Sequence, residues 1–277
     1  MMAGEPLSAR ARKQEIRESV WARLDAEGLS TFPRPVRGRI PNVRGADAAA
    51  ERLAQTPEWR AARVVKVNPD APQRPVRYRA LKEGKVLLMP TPRLREGFLR
   101  VDPSGLRPAQ LFAASSIGGA FELGDRVGLD DLPAIDLLVS GSVAVSADGD
   151  RVGKGEGYAE LEFATLRELG RVSADVTIAT TVHDAQVVEA IPRELFDVTL
   201  DIICTPSRTI RPAARAARPP GILWDALASE RLEEMPILAE LKSKTRDMRP
   251  PPPGVAMMDE RAHSRSPRAR ASLSATG

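Results

Sequence analysis

Short apolar runs rich in β-branched residues alternate along this chain with stretches of helical periodicity, and that alternation limits what it can fold into. ARVVKV (62–67), KVLLMP (85–90), DVTIATTV (175–182) and VTLDIICT (198–205) read as strands. IDLLVSGSVAV (135–145) reads as the clearest buried stretch. Helical patterns cover 8–27, 158–170 and 221–244, the last with a break at Pro236, and LFAAS (111–115) suits a short helix. Ile16, Val20 and Leu24 form one stripe of the first helix, and Lys13, Arg17 and Trp21 form a second beside it. Gly28 is placed to stop that helix. In the second, Phe163, Leu166 and Leu169 recur every three residues and Gly170 ends the run. Buried strands alternating with helices predict an α/β fold of Rossmann-like type: three layers, a mostly parallel sheet with helices on both faces. Ligands of such sheets sit outside the carboxyl ends of the strands.

The 277 residues are enough for one large domain. We divide them into a disordered N-terminus (1–7), an α/β domain (8–245) and a disordered Pro/Arg/Ser-rich tail (246–277). The tail carries four consecutive prolines, Pro250 to Pro253, and too little apolar surface to offset chain entropy. The net charge of +4 resides largely in that tail, which leaves the folded part nearly neutral. The tail reads as a solvated end or as a basic arm for nucleic acid. No apolar run is long enough to cross a bilayer, and the first residues lack the apolar stretch of a secretory signal. With a single cysteine, Cys204, an internal disulfide framework is excluded, and a cytoplasmic location is expected.

GDRVGKGEGYAELE (149–162) sits between a strand and a helix. Gly153, Gly155 and Gly157 allow close backbone approach and positive φ. The free amides and dipole of the helix that follows favour an anion, and Arg151 and Lys154 add positive charge. The spacing is neither a Walker A motif nor the dinucleotide fingerprint, so pattern alone leaves a flexible turn and a phosphate cradle both open. Arg34, Arg37, Arg39 and Arg44, in a Pro/Gly-rich loop without acidic neighbours, read as solvated charge or as the rim of an anion site. His183-Asp184, at a strand end, reads as a hydrogen-bonded structural pair or as acid–base equipment. Cys204 lies in a buried strand and reads as inert. Ser140 and Ser142 do not form a nucleophile elbow.

These blocks resemble the 5-formyltetrahydrofolate cyclo-ligase (methenyltetrahydrofolate synthetase) family. The resemblance rests on IDLLVSGSVAVSADGDRVGKGEGYAELE followed by VVEAIPRELFDVTLDIICTP. KQEIRESVW (13–21), FPRPV…RIPN (32–42) and LLMPTPRLREG, ending at Gly97, are most similar to its methenyltetrahydrofolate synthetase domain-containing branch. Together they span about residues 10–240.

The resemblance implies a ligase of folate one-carbon metabolism that uses ATP and magnesium (Mg2+) to convert 5-formyltetrahydrofolate to 5,10-methenyltetrahydrofolate. ATP and a reduced folate are the implied partners, with no membrane. It implies phosphate contacts from Lys13 and Arg17, a cradle of Gly153, Gly155 and Gly157, and Tyr158 at the substrate side. Arg151 and Lys154 are the implied catalytic residues, Glu160 an implied magnesium ligand, and Gln186 matches a family glutamine. Lys154 stands where classical members carry arginine, Glu156 where they carry a basic or small residue, Ala159 for a second tyrosine and Glu160 for an aspartate. These substitutions leave two other readings: a nucleotide-binding protein of the same fold acting on another folate or a thiamine-related heterocycle, and a non-catalytic interaction protein.

Overall fold

A computed structural model describes residues 8–248. The expected termini, 1–7 and all of the tail after Met248, lie outside the described residues. In chain order the strands are β1 (Val64–Val67), β2 (Val86–Pro90), β3 (Phe98–Val101), β4 (Asp125–Val127), β5 (Leu137–Val139), β6 (Ala144–Ser146), β7 (Arg151–Val152), β8 (Thr177–Thr181), β9 (Val187–Val188), β10 (Ile202–Cys204) and β11 (Thr209–Ile210). The helices are α1 (Ala9–Ala26), α2 (Ala46–Ala54), α3 (Pro57–Ala61), α4 (Arg74–Lys82), α5 (Leu111–Ala114), α6 (Ile117–Leu123), α7 (Tyr158–Glu168), α8 (Ser229–Glu234) and α9 (Pro236–Met248).

The main sheet has eight strands in the order β11-β10-β8-β5-β1-β2-β3-β4. Its five central strands, β10 to β2 in that order, are parallel, whereas β11, β3 and β4 pair antiparallel at the two edges. Successive residues of each central strand face opposite layers, as a pleat requires. Leu88, Leu138, Ile178 and Ile203 pack with Phe163 and Leu166 of α7 and Leu238 and Leu241 of α9. Leu87, Leu137, Ala179 and Ile202 pack on the other face with Leu53 of α2, Trp59 of α3 and Leu81 of α4. The expected sheet with helices on both faces is the architecture observed.

A second sheet of three short strands, β7-β6-β9, lies under α1. It corrects the reading of 135–145 as one stretch. The chain leaves the main sheet after Val139, turns through Ser140–Val143 and enters β6. Arg151 and Val152 likewise belong to a strand, so the glycine loop is 153–157. Two further boundaries differ. Residues 221–228 hold only a 3-10 turn (Trp224–Ala226) before α8, and α9 runs to Met248, three residues past the expected domain end. Pro236 separates α8 from α9, as the sequence suggests.

Candidate functional site

The carboxyl ends of β1, β5, β8 and β10 deliver the turns that begin at Asn68, Ser140, Val182 and Thr205. The loop after β7 reaches this edge and runs into α7. Gly157 caps α7 with φ 72° and no side-chain cap, which leaves the first amides of the helix free for a ligand. Gly155 has φ 104°, and a Cβ there would stand 3.4 Å from the Arg17 guanidinium carbon. Gly153 has ordinary φ; its lack of a side chain makes room for Arg151, whose Nη1 would lie 3.2 Å from a Cβ. The three glycines thus serve both backbone freedom and space.

Two arginines hold this loop from below. Arg17 Nε donates to the carbonyl of Gly153 at 2.7 Å, which ties α1 to the loop. The second stripe of α1 is buried, with Arg17 on the loop and Trp21 donating to the Arg39 carbonyl. Arg151 is buried; its Nη1 donates to the Gly141 carbonyl at 2.7 Å and its Nη2 pairs with Glu160. Lys154 is the accessible cation of the loop. It pairs with Glu156 at 2.5 Å and lies 5.9 Å from the centre of the Tyr158 ring. Arg231 of α8 covers the same ring at 5.4 Å and donates to the Glu156 carbonyl at 2.7 Å.

Lys13 is buried one turn before Arg17, and its ammonium donates to Glu194 at 2.7 Å and to Asp197 at 2.6 and 2.8 Å. Burial pushes the Asp197 carboxyl up; Lys13 pulls it back, and the Glu160 carboxylate raises it further. Asp197 and Glu160 therefore feel one another across the site, between the cations of α1 and of the glycine loop.

Four residues of this edge escape sequence reading. Lys66, Asn68 and Glu162 are buried together: Lys66 Nζ pairs with Glu162 and donates to Asn68 Oδ1 at 3.0 Å, and Asn68 Nδ2 donates to Glu162 Oε2 at 3.0 Å. The available signal was a lysine inside the apolar run VVKV. Asp70 follows in the same turn. Among the described residues no hydrogen bond or ion pair reaches its carboxylate. Burial pushes its pKa up, while the charges of Lys154, Arg77, Lys66 and Arg151 pull it down. Arg77, buried on α4, holds the turn by donating to the carbonyls of Asn68 at 2.5 Å and Asp70 at 3.0 Å, and burial lowers its pKa to about 10. Gly141 is required here as well. A Cβ would stand 2.7 Å from Asp70 Oδ2 and 3.1 Å from Gln73 Oε1, a buried acceptor with no partner among the described residues.

The remaining candidates have structural duties. His183 Nδ1 accepts from the Ala185 amide at 3.1 Å, and Asp184 accepts from Thr205 at 2.8 Å and Ser207 at 2.6 Å. Gln186 donates to the carbonyls of Ser142 and Val143 at 3.0 and 3.1 Å. Burial raises the Cys204 thiol to about 11, so it is inert at neutral pH. Ser142 shares a hydrogen bond of 2.9 Å with Thr180. Within the arginine-rich loop, Arg37 finds Glu18 of α1 at 2.8 Å and Arg34 caps the Ser30 carbonyl at 2.6 Å.

A doubly covered, mostly parallel sheet that gathers charged turns and a glycine loop at its carboxyl edge defines an α/β protein with a candidate small-molecule site at that edge. The chain belongs to the 5-formyltetrahydrofolate cyclo-ligase family, whose pattern matches residues 9–206. It is 44% identical over 235 residues to a methenyltetrahydrofolate synthase domain-containing protein of Bos taurus, covering 83% of this chain and 62% of that protein. Against the Homo sapiens protein so described, identity is 40% over 245 residues, covering 87% and 64%. The chain thus spans less than two thirds of the length of these relatives. Among solved structures, the NMR structure of Aquifex aeolicus 5,10-methenyltetrahydrofolate synthetase matches with a TM-score of 0.47 and 22% identity, covering 74% of this chain and 95% of that one.

Proposed function

We propose that this chain catalyses the ATP-dependent closure of 5-formyltetrahydrofolate to 5,10-methenyltetrahydrofolate, in the cytoplasm. The observation that carries the reading is the pairing of two unlike half-sites across Gly141. One is the cationic glycine loop at the start of α7; the other is the acceptor pair of Asp70 and Gln73 Oε1. Phosphate oxygens suit the amides of 153–158 with Lys154, Arg151, Lys13 and Arg17 around them, because phosphoryl transfer is chiefly positioning and charge neutralisation. The N–H groups of a pterin's aminopyrimidinone edge suit Asp70 and Gln73.

No group of three metal-ligating side chains exists among the described residues. Magnesium needs none: it is commonly held by one or two carboxylates together with substrate phosphates. Glu160 and Asp197 would hold the ion together with the substrate phosphates, and bound there it would supply charge neutralisation. The chemistry then follows the family pattern. The formyl oxygen would attack the terminal phosphorus of ATP, breaking its bond to the leaving ADP; N10 would then attack the activated carbon and lose its proton, and the carbon–oxygen bond would break with departure of phosphate.

The test is the appearance of methenyltetrahydrofolate absorbance when the purified chain is mixed with ATP, magnesium and 5-formyltetrahydrofolate. Binding neither ATP nor the folate, and forming no product, would sink the proposal. A second reading, ATP-dependent chemistry on another folate or a thiamine-related heterocycle, is favoured by the glutamates that already neutralise Lys154 and Arg151. It predicts ATP binding without methenyl product.

A further inference from the structure

Lys66 occupies an unusual place. It lies in the middle of the central strand β1, with Leu88 and Leu138 as its register neighbours on either side, and it is 1% exposed. Its partner Glu162 comes from α7, two residues after Glu160, and is 4% exposed. Asn68 closes the triangle with hydrogen bonds of 3.0 Å to each. A buried ion pair gives a sheet little. Desolvation of the two charges cancels much of their attraction, and well-packed apolar replacements are often neutral or stabilising. Between two leucines, an apolar pair would be the simpler solution.

What the triangle does provide is a fixed relation between two elements. Asn68 begins the turn that carries Asp70, and its carbonyl is gripped from the opposite side by Arg77 at 2.5 Å. Glu162 sits on the first turns of the helix that starts at the glycine loop, where Glu160 pairs with Arg151. Resting on the function proposed above, we infer that Lys66, Asn68 and Glu162 are positioning residues: their buried triangle sets the glycine loop and Arg151 at a fixed distance from Asp70. Through it the phosphate half-site and the acceptor half-site move as one body. The strength of such a bond lies in direction, because charge-assisted hydrogen bonds hold an orientation that methyl packing does not.

The double variant Lys66→Met/Glu162→Leu tests this in the full chain. Its thermal midpoint is expected to equal or exceed that of the parent, since no charge is left buried alone. Its kcat for methenyl formation is expected to fall at least about tenfold, as misplacement of about an ångström costs a reaction that depends on alignment. Its KM for ATP should stay within about twofold, since the glycine loop keeps its own groups. Amide hydrogen exchange at Asn68, Asp70 and 153–157 should accelerate, with β5 and β8 unchanged. Asn68→Ala, which keeps both charges, should show the same changes at smaller amplitude, and it serves if the double variant does not fold. Parent-like exchange in both segments, or a kcat within about twofold of the parent, overturns the inference. If the parent chain itself makes no methenyl product, the function proposed above fails, while the exchange measurement still decides the positioning role.

Discussion

The two edges of the main sheet use the same residue types to opposite ends. At the amino edge, acidic side chains are saturated. Asp136 accepts from the amides of Arg63 and Val64 at 2.8 and 2.9 Å. Asp201 accepts from the Ile178 amide at 2.8 Å and from Arg215 and Arg218, each at 2.6 Å. Glu58 meets Arg211 through two bonds of 2.7 and 2.9 Å. At the carboxyl edge Asp184 is bonded by Thr205 and Ser207, but Asp197, though bonded by Lys13, is raised by burial and by Glu160, and no hydrogen bond or ion pair reaches the Asp70 carboxylate among the described residues. One edge lowers the energy of the fold, and the other stores groups that a ligand would satisfy. A site costs stability where it is built, and the rest of the sheet offsets that cost.

The sharpest way to break this division is Asp201→Ala. Arg218, with its side chain 4% exposed, would lose its carboxylate, and the Ile178 amide would lose its acceptor. Removing one partner of such a pair costs about 3–5 kcal/mol. The expected result is a large fall in the urea midpoint with kcat/KM unchanged at temperatures where the variant is folded. A matching loss of kcat/KM would show that the amino edge also governs the site.

Lys154→Ala is the reciprocal test. The lysine is 37% exposed, and among the described residues its one ion pair is with the neighbouring Glu156, so the thermal midpoint should hardly move. If the function proposed above holds, loss of this cation should lower kcat about a hundredfold, or about 2.7 kcal/mol in the barrier. Initial rates beside a melting curve decide it; equal falls in both would place Lys154 in the fold.

Asp70→Asn probes the stored cost itself. The Asp70 pKa is raised in the folded state, first by burial, so its contribution to stability is complete below the ordinary carboxylate value and is lost as pH rises through the raised one. At pH 7 the native chain carries that penalty. The asparagine variant should therefore be more stable at neutral pH, by about 1 kcal/mol, while losing activity. The gain should shrink toward zero as pH falls below the ordinary carboxylate value. Urea unfolding at both ends of that range measures it, and a variant less stable at neutral pH would contradict the argument.

How far sequence alone reaches follows from the kind of signal each element leaves. The central strands and α7 are legible because buried strands and amphipathic helices write their burial into local periodicity. The glycine loop and the Lys13/Arg17 stripe are legible because their residues lie close together in the chain. Asp70, Lys66 and Glu162 are not, because their meaning comes from β1 and α7 being brought together across 96 residues. The small sheet escapes for another reason. Its strands are two or three residues long, and the link Ser140–Val143 is only four residues, with β5 and β6 directly on either side, so the crossing between sheets leaves little local mark. β3 and β4 escape because antiparallel strands of four and three residues at this end of the sheet carry too little pattern to separate from loop.

The smallest effect is the most diagnostic in sign. Glu58 is held below the ordinary carboxylate value chiefly by its hydrogen bonds from Arg211. A depressed folded pKa gives stability that is present above the unfolded value and is lost as pH falls through the folded one. Glu58→Gln should therefore cost about 0.5 kcal/mol at pH 7, a partly exposed pair being worth little more, and nothing in acid. Its pH profile is the mirror image of that for Asp70→Asn: one variant loses stability at neutral pH, the other gains it, and both converge on the parent as carboxylates protonate. Differential unfolding across pH 3 to 7, roughly the span over which these acids titrate, reads both signs in one series. If the two differences carry the same sign, the opposition between the edges does not hold.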